Sequence, residues 1–239
     1  MTIRDWEGVA LIVGAGDIGK SIFDYLTNAS PNLDVFVCGR QLANKNCIYL
    51  DLENDHSFTS FENQISLLKK PLRLVINTSG FLHSNLVKPE KRLSNINRSN
   101  INKNFSINAI APILIAKSIE KFIRPELPFC FASLSARVGS IGDNRLGGWY
   151  SYRASKAAQN QFLKTLSIEW RRKFPLSIVS ILHPGTCDTK LSKPYQTAVP
   201  KNKLFSPAKS SEYLINIISD QTPTDSGQFL AWDRSIIPW

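Results

Sequence analysis

A chain of 239 residues is long enough for one large α/β domain with a core on both faces of a sheet, so we expect a single domain over 1–239. No stretch reaches the roughly 18 apolar residues of a membrane span, so we expect no membrane partner and a cytoplasmic location. The net charge of +10 suits an anionic cofactor, and no nucleic-acid motif accompanies the basic clusters, so we expect no nucleic-acid partner.

Segments typical of strands and helices alternate along the chain. Apolar runs bounded by turn residues predict strands at 8–13, 34–38, 47–50, 72–77, 127–133, 176–182 and 227–231. Helical periodicity predicts helices near 17–28, 57–69, 99–123, 150–173 and 207–219. This alternation predicts an α/β fold with a doubly wound, mostly parallel sheet of about seven strands and helices on both faces.

The first predicted strand and helix are joined by the turn Gly14-Ala15-Gly16-Asp17-Ile18-Gly19. Glycines at such a turn let the backbone approach a pyrophosphate, whose charge then lies at the positive end of the helix. The alternative is a tight turn with no ligand. The position of the turn after a buried strand favours dinucleotide binding, of the kind that Rossmann-type domains perform.

Tyr152 and Lys156 stand four residues apart where a long helix begins, so both lie on one helix face. A nearby ammonium favours the ionised phenol, so we expect Lys156 to lower the pKa of Tyr152 toward the range of a general acid/base. Taken alone, the pair also fits an aromatic ring packed on a lysine stem.

Other elements suggest less about chemistry. The cysteines Cys38, Cys47, Cys130 and Cys187 form no C-x-x-C pair and are interpreted as buried thiols in a reducing compartment. The three histidines are scattered, so we expect no metal site.

Taken in order, these segments resemble the short-chain dehydrogenase/reductase family over nearly the whole chain from Val9 onward. Asn77-Thr78-Ser79-Gly80 is similar to the family's N-N-A-G segment, and Asn108 to its helix asparagine. Ser135 resembles the serine after the fifth strand, and His183-Pro184-Gly185-Thr186 with Thr189 resembles the P-G-x-x-x-T segment. The segments 135–150 and 188–194 and the pair Trp232-Asp233 resemble the C-factor-like branch.

The resemblance implies hydride transfer between a nicotinamide and a carbonyl or alcohol substrate. It implies that Ser135 orients the carbonyl, that Tyr152 donates the proton, and that Lys156 lowers the Tyr152 pKa and holds the ribose. Asn108 would anchor a water that replaces the proton. The implied cofactor-binding residues, besides Tyr152 and Lys156, are Gly14, Gly16, Asp17, Ile18, Gly19, Arg40, Asp51, Leu52, Asn77, Thr78, Ser79, Gly80, Pro184, Gly185, Thr186 and Thr189.

Two features depart from the family pattern. The glycine turn is one residue shorter than T-G-x-x-x-G-x-G, so its residues carry over with a slip of one position. Ser135 lies seventeen residues before Tyr152, and Ala136 occupies one of two positions where the family commonly has a serine pair. Ser133 is the weaker candidate for the catalytic serine, and Ser140 is third.

Cofactor choice depends on the end of the second strand, where Gly39 and Arg40 replace the carboxylate typical of an NAD site. A guanidinium can bind a 2′-phosphate, so we expect NADP(H) to be preferred, with NAD(H) possible. The alternative for Arg40 is that its side chain points into solvent. Asp51 resembles the family's adenine-contacting residue, and the alternative is an aspartate at a strand end with no ligand.

The loop at 185–206 is too long to be only a connector, and we interpret it as a substrate lid. Trp149 and Tyr150 fit either a wall of the substrate pocket or packing under this lid. The resemblance implies a homodimer or homotetramer formed by the helices at 101–122 and 150–173. It also leaves open a second function, a cofactor-binding signalling or scaffold protein with little turnover.

Overall fold

Continuous apolar runs place the central strands in the interior, covered on both faces. A computed structural model describes residues 3–41 and 45–239. Every residue is buried in the strands Gly8–Val13, Leu72–Asn77 and Phe129–Leu134, as expected for a parallel sheet between two layers of helices. The strands of the described residues are β1 (Gly8–Val13), β2 (Leu33–Gly39), β3 (Cys47–Tyr49), β4 (Leu72–Asn77), β5 (Phe129–Leu134), β6 (Ser177–His183), β7 (Thr186–Cys187), β8 (Leu204–Phe205) and β9 (Phe229–Ala231).

Seven of these strands form one parallel sheet in the order β3-β2-β1-β4-β5-β6-β9. The chain moves from β1 outward to β3 on one side, and then returns to place β4 against the other side of β1. The connections therefore diverge at the carboxyl ends of β1 and β4, which opens a crevice where doubly wound folds bind their ligands.

Two layers of helices cover the sheet. The helices are α1 (Asp17–Ala29), α2 (Asp55–Ser66), α3 (Arg98–Phe105), α4 (Ala111–Ile119), α5 (Tyr150–Lys173) and α6 (Pro207–Asp220). Side chains of α2, α4 and α5 form one core with Leu11, Val75 and Phe131 of the sheet. Helices α1 and α6 form the other core. No helix in the described ranges combines the length and hydropathy needed to cross a bilayer.

The predicted fold class is confirmed, with a seven-stranded doubly wound sheet. The single helix predicted at 99–123 is wrong, because α3 and α4 are separated by a π-helical turn at Ser106–Ile110. Pro112 has no N–H to donate to the carbonyl of Asn108, so the regular α-helical pattern cannot continue through this point.

The segment 185–206 holds more structure than the predicted loop. Its strands β7 and β8 pair in parallel, and a 3-10 helix, Lys193–Ala198, lies between them. Phe205 packs edge-on against Trp232 at 4.6 Å and Tyr213 at 5.5 Å between ring centroids, which holds this segment against α6 and the end of the chain.

The four cysteines form no disulfide in the described structure, and three of them are buried. Burial raises the thiol pKa of Cys38, Cys130 and Cys187. Among the described residues, no group of three or more His, Cys, Asp or Glu side chains is placed to hold a metal ion.

Candidate active site

The glycine turn between β1 and α1 is shaped for a phosphate. Gly14 has φ +105°, and a Cβ on Gly19 would collide with the Gly14 carbonyl oxygen. α1 begins after Gly16, and within the described chain no side chain caps its first N–H groups. A helix start with unpaired N–H donors and a positive dipole end is a binding site for an anion.

Two adjoining cavities lie along the crevice and share Ala15 and Gly80. The first, of about 350 Å³, extends from the glycine turn to α5. The second, of about 430 Å³, extends from the glycine turn across the ends of β2 and β3. Their arrangement on either side of the phosphate-shaped turn fits the two halves of a dinucleotide.

Most of the cofactor residues predicted from the sequence line these cavities. The first is lined by Gly16, Asp17, Ile18, Gly19, Thr78, Ser79, Gly80, Tyr152, Lys156, Pro184 and Thr189. The second is lined by Gly14, Gly80, Arg40, Asp51 and Leu52.

Three of the predicted cofactor residues are not among the described residues that line the two cavities. Asn77 is fully buried below the groove, where its Oδ1 accepts from Ser79 Oγ at 2.6 Å. Gly185 packs against Phe205 and Trp232, and Thr186 is paired in β7.

The catalytic candidates Tyr152 and Lys156 both face the first cavity from α5. The Lys156 Nζ lies 6.0 Å from the Tyr152 ring centroid and donates to Leu134 O and Gln159 Oε1, each at 2.9 Å. The ammonium is thus held by the strand β5 and by its own helix.

Burial shifts the two groups in opposite directions. It raises the pKa of Tyr152 and lowers the pKa of Lys156 to about 7, since each neutral form needs less solvation. The expectation that Lys156 lowers the Tyr152 pKa is therefore wrong. The cost of burying a phenolate outweighs the attraction of an ammonium that is itself desolvated.

The three serine candidates are placed differently. Ser135 lines the first cavity, and its hydroxyl donates to Asn160 Oδ1 at 2.6 Å. Ser133 is fully buried and accepts from Asn77 at 2.9 Å, while the Ser140 hydroxyl accepts from the Asp143 N–H. Of the three, the cavity wall includes Ser135.

Asn108 lies inside the π turn, fully buried. Its side-chain oxygen accepts from Phe81 N at 2.7 Å, and its amide nitrogen donates to Phe81 O at 2.8 Å and to Ser155 Oγ at 3.0 Å. Asn108 thereby ties the segment after β4 to α5 one turn above Tyr152.

An aromatic cluster joins the segment 185–206 to the start of α5. Trp149 packs edge-on against Tyr195 of this segment at 5.0 Å and against Tyr152 at 6.1 Å, and His83 packs against Tyr195 at 5.7 Å. Trp149 has φ 52°, a left-handed conformation. Trp149 thus contacts both Tyr152 and the segment 185–206, whereas Tyr150 is 42 % exposed.

Two buried residues were missed in the sequence. Glu90 accepts from the N–H of Ser151 at 3.2 Å and from its hydroxyl, so it caps the start of α5 from 61 residues away. No sequence signal points to this contact. Gln159 accepts from Lys156, and its position three residues later on the same helix face was a usable signal.

The parallel sheet, the phosphate-shaped turn and the Tyr-Lys pair together define a dinucleotide-binding oxidoreductase. The family model described as short chain dehydrogenase matches residues 8–199, and the chain belongs to this family. Its cofactor is accordingly a nicotinamide dinucleotide.

Curated relatives agree with this membership. The chain is 29% identical to the C-signal of Myxococcus xanthus over 149 residues, which are 62% of this chain and 83% of the relative. It is 30% identical to 1-hydroxy-2-glutathionyl-2-methyl-3-butene dehydrogenase of Rhodococcus sp. (strain AD45), and the match covers 58% of each chain.

Solved structures show the same fold. The NADPH-bound carbonyl reductase from chicken fatty liver superposes with a TM-score of 0.85 at 20% identity, covering 100% of this chain and 99% of the other. The carbonyl reductase Sniffer of D. melanogaster gives 0.83 at 21% identity, covering 98% and 100%.

The lowered pKa of Lys156 predicts a pH-dependent stability. The folded-state pKa is about 7 and the ordinary value is 10.5, so between these values the unfolded chain binds a proton that the folded chain has released. Stability from this group therefore rises with pH across that window and is lowest below pH 7, with a slope of up to about 1.4 kcal/mol per pH unit.

We expect Lys156→Met to flatten the rise in the free energy of unfolding between pH 7.5 and 9.5, measured by urea denaturation. Lys20→Met, at an exposed site on α1, is the control and should keep the wild-type slope. Equal slopes in all three proteins would contradict the assignment.

Proposed function

We propose that this protein is an NADP(H)-dependent oxidoreductase that acts on a carbonyl or alcohol substrate, with Tyr152 as the general acid/base. The observation that carries the proposal is the placement of Tyr152 and Lys156 on one face of α5, in a cavity that also includes the glycine turn. Carbonyl reduction needs a hydride donor, a proton donor and a group that orients the oxygen. The glycine turn would hold the cofactor that supplies the hydride, and the cavity offers Tyr152 and Ser135 for the other two.

The bound nicotinamide would supply the hydride. Tyr152 would give its phenol proton to the carbonyl oxygen, and its raised pKa keeps that proton in place until the oxygen gains negative charge. Ser135 would orient the oxygen by transferring its hydroxyl bond from Asn160 to the substrate. Lys156 would hold the cofactor ribose, and Asn108 would anchor the water through which the Tyr152 proton is replaced.

Tyr152→Phe tests this assignment. Because the phenol proton is lost while the ring remains, we expect a loss of at least ~100-fold in kcat, with NADPH affinity nearly unchanged. The measurement is NADPH oxidation, followed by absorbance, with a panel of aldehydes, ketones and quinones.

Tyr150→Phe removes a half-exposed phenol two residues away and should retain wild-type turnover. Near-normal turnover of Tyr152→Phe on a substrate that the wild type reduces would contradict the assignment of Tyr152 as the general acid/base.

The NADP(H) preference is supported by the surroundings of Arg40. Arg40 is exposed at the end of β2 and lines the second cavity beside Gly39. Among the described residues of this wall, the carboxylates are Asp51 and Glu53, and Glu53 is paired with Lys103 at 2.6 Å. A cation beside the ribose position, with Glu53 neutralised, favours a 2′-phosphate.

We expect Arg40→Ala to weaken NADPH binding by roughly 10- to 100-fold and to leave NADH binding nearly unchanged, as for a hydrogen bond to a charged group. Fluorescence titration of both cofactors into both proteins measures this. Arg124→Ala is the control, because Arg124 is exposed near the amino ends of β1 and β4, away from the crevice. Equal losses for the two cofactors, or equal wild-type affinities, would show that Arg40 does not recognise the phosphate.

We also propose a homodimer or homotetramer formed through the outer faces of α4 and α5. Large apolar side chains are exposed there, with Phe162 at 41 % and Ile168 at 47 %, and Ile110 at 45 % lies just before α4. Exposed apolar groups of this kind mark interfaces when they cluster.

Light scattering at micromolar concentration should give two or four times the chain mass of 26.8 kDa. We expect Ile168→Lys to reduce the measured mass toward that of one chain, because it places a charge in the interface. Leu67→Lys, at a site 79 % exposed on α2's end, should not change it. A monomeric wild type would count against the assembly.

The segment 185–206 would serve as the substrate lid, since Tyr195 contacts the aromatic ring of Trp149 beside Tyr152. Buried thiols favour a reducing compartment such as the cytoplasm.

A second candidate function is a signalling or scaffold protein that binds the cofactor with little turnover, and the similarity to the C-signal of Myxococcus xanthus favours it. Tight NADPH binding without turnover on any member of the carbonyl panel would support this second candidate.

A further inference from the structure

We propose that Gln159 is a positioning residue that holds Lys156 and couples it to the cofactor groove through the buried amide network, defined as Asn77, Ser79, Ser133, Lys156 and Gln159. The proposal rests on the proposed function of Lys156.

Gln159 fixes the direction of the Lys156 ammonium. An ammonium has three N–H donors, and two of them are taken by Leu134 O and Gln159 Oε1, each at 2.9 Å. A Cβ built on Gly80 would lie 3.9 Å from Lys156 Nζ, so the glycine leaves the cavity side of the ammonium open. The third N–H is therefore the one available to a ligand in the first cavity.

The orientation of the Gln159 amide is itself determined. Its Nε2 donates to Ser133 Oγ at 2.8 Å and to Leu134 O at 3.2 Å, so Oε1 must face Lys156. A flipped amide would place an N–H against the ammonium and leave Ser133 without this donor. The neutral acceptor is thus specified by the residues behind it.

The network continues to the opposite wall of the cavity. Ser133 Oγ also accepts from Asn77 Nδ2 at 2.9 Å, and Asn77 Oδ1 accepts from Ser79 Oγ at 2.6 Å. Ser79 lines the first cavity, as Lys156 does. Because Asn77, Ser133 and Gln159 are all fully buried, bulk water cannot replace a lost partner in this network.

Few groups around Lys156 could titrate in competition with it. Tyr152 faces it from the same helix, Leu134 O contacts it from β5, and Gly139 and Gly80 pack against it from the neighbouring segments. Within the described chain, Tyr152 is the titratable group of this set. The charge placed at residue 159 should therefore act directly on Lys156.

The test compares Gln159→Met, which removes the acceptor at similar volume, with Gln159→Glu, which replaces it by a carboxylate. We expect Gln159→Met to lower the pKa of Lys156, and Gln159→Glu to raise it, by at least about one unit in each case. Two readouts report it: the pH dependence of kcat/KM, and the pH window over which the free energy of unfolding rises. We also expect Gln159→Met to lose ~10- to 100-fold in kcat/KM, because Lys156 is no longer oriented.

Gln161→Met is the matched control, since Gln161 is exposed on the solvent side of the same helix and bonds Thr165. If Gln159 had only a structural role, both Gln159 variants would be less stable, but the pKa of Lys156 would not move in opposite directions. If Gln159→Met does not fold, an unshifted pKa of Lys156 in Gln159→Glu still overturns the proposal.

The proposal would be overturned if the pKa of Lys156 is unchanged in the variants that fold, whatever their activity. The unfolding measurement needs no substrate, so it separates this proposal from the proposed function. A wild type inactive on the whole carbonyl panel, with opposite shifts still seen in unfolding, would refute the enzyme and keep the positioning role of Gln159.

Discussion

A buried ammonium joins the helix of the active site to the middle of the sheet. Lys156 Nζ donates to the carbonyl of Leu134, the last residue of β5, and β5 is held between β4 and β6. At the far end of α5, Trp170 packs edge-on against Phe129 and Phe131 of the same strand. Because α5 is attached to β5 near both of its ends, Tyr152 cannot move relative to the crevice without disrupting the packing of the core.

The same burial that fixes this geometry shifts the pKa values of Tyr152 and Lys156 in opposite directions. A phenol and an ammonium both prefer their neutral forms in a desolvated site, so Tyr152 keeps its proton and Lys156 loses its proton readily. The proposed mechanism uses this difference, since general acid catalysis needs a donor that holds its proton until the substrate oxygen gains negative charge. The chain therefore tunes the pair through desolvation, with little help from fixed charges.

Much of the fold was predictable because each element carries its own periodicity. The run at β1 is apolar throughout, and those at β4 and β5 are interrupted by Arg73, Asn77 and Ser133 alone, so burial on both faces could be predicted. The π turn was not predictable from periodicity, since its helical face continues across the break and only Pro112 disturbs the backbone.

Within the site, the sequence indicated groups that recur at short spacing, such as Tyr152 with Lys156 and the glycine turn. It could not indicate Glu90, whose partner Ser151 is 61 residues away, nor the bond that engages Ser135 with Asn160. The predicted direction of the Tyr152 pKa shift was wrong, because residue spacing identifies a neighbouring charge but does not show how deeply both groups are buried. Long-range contacts and burial are properties of the packed chain.

Burial of the cysteines determines how they would react with an electrophile. Only a thiolate adds readily to an electrophilic carbonyl compound, an enone or a quinone. Cys38, Cys130 and Cys187 are shielded from solvent, and burial keeps each of them as the thiol. These three residues should therefore resist alkylation by reactive compounds that enter the crevice.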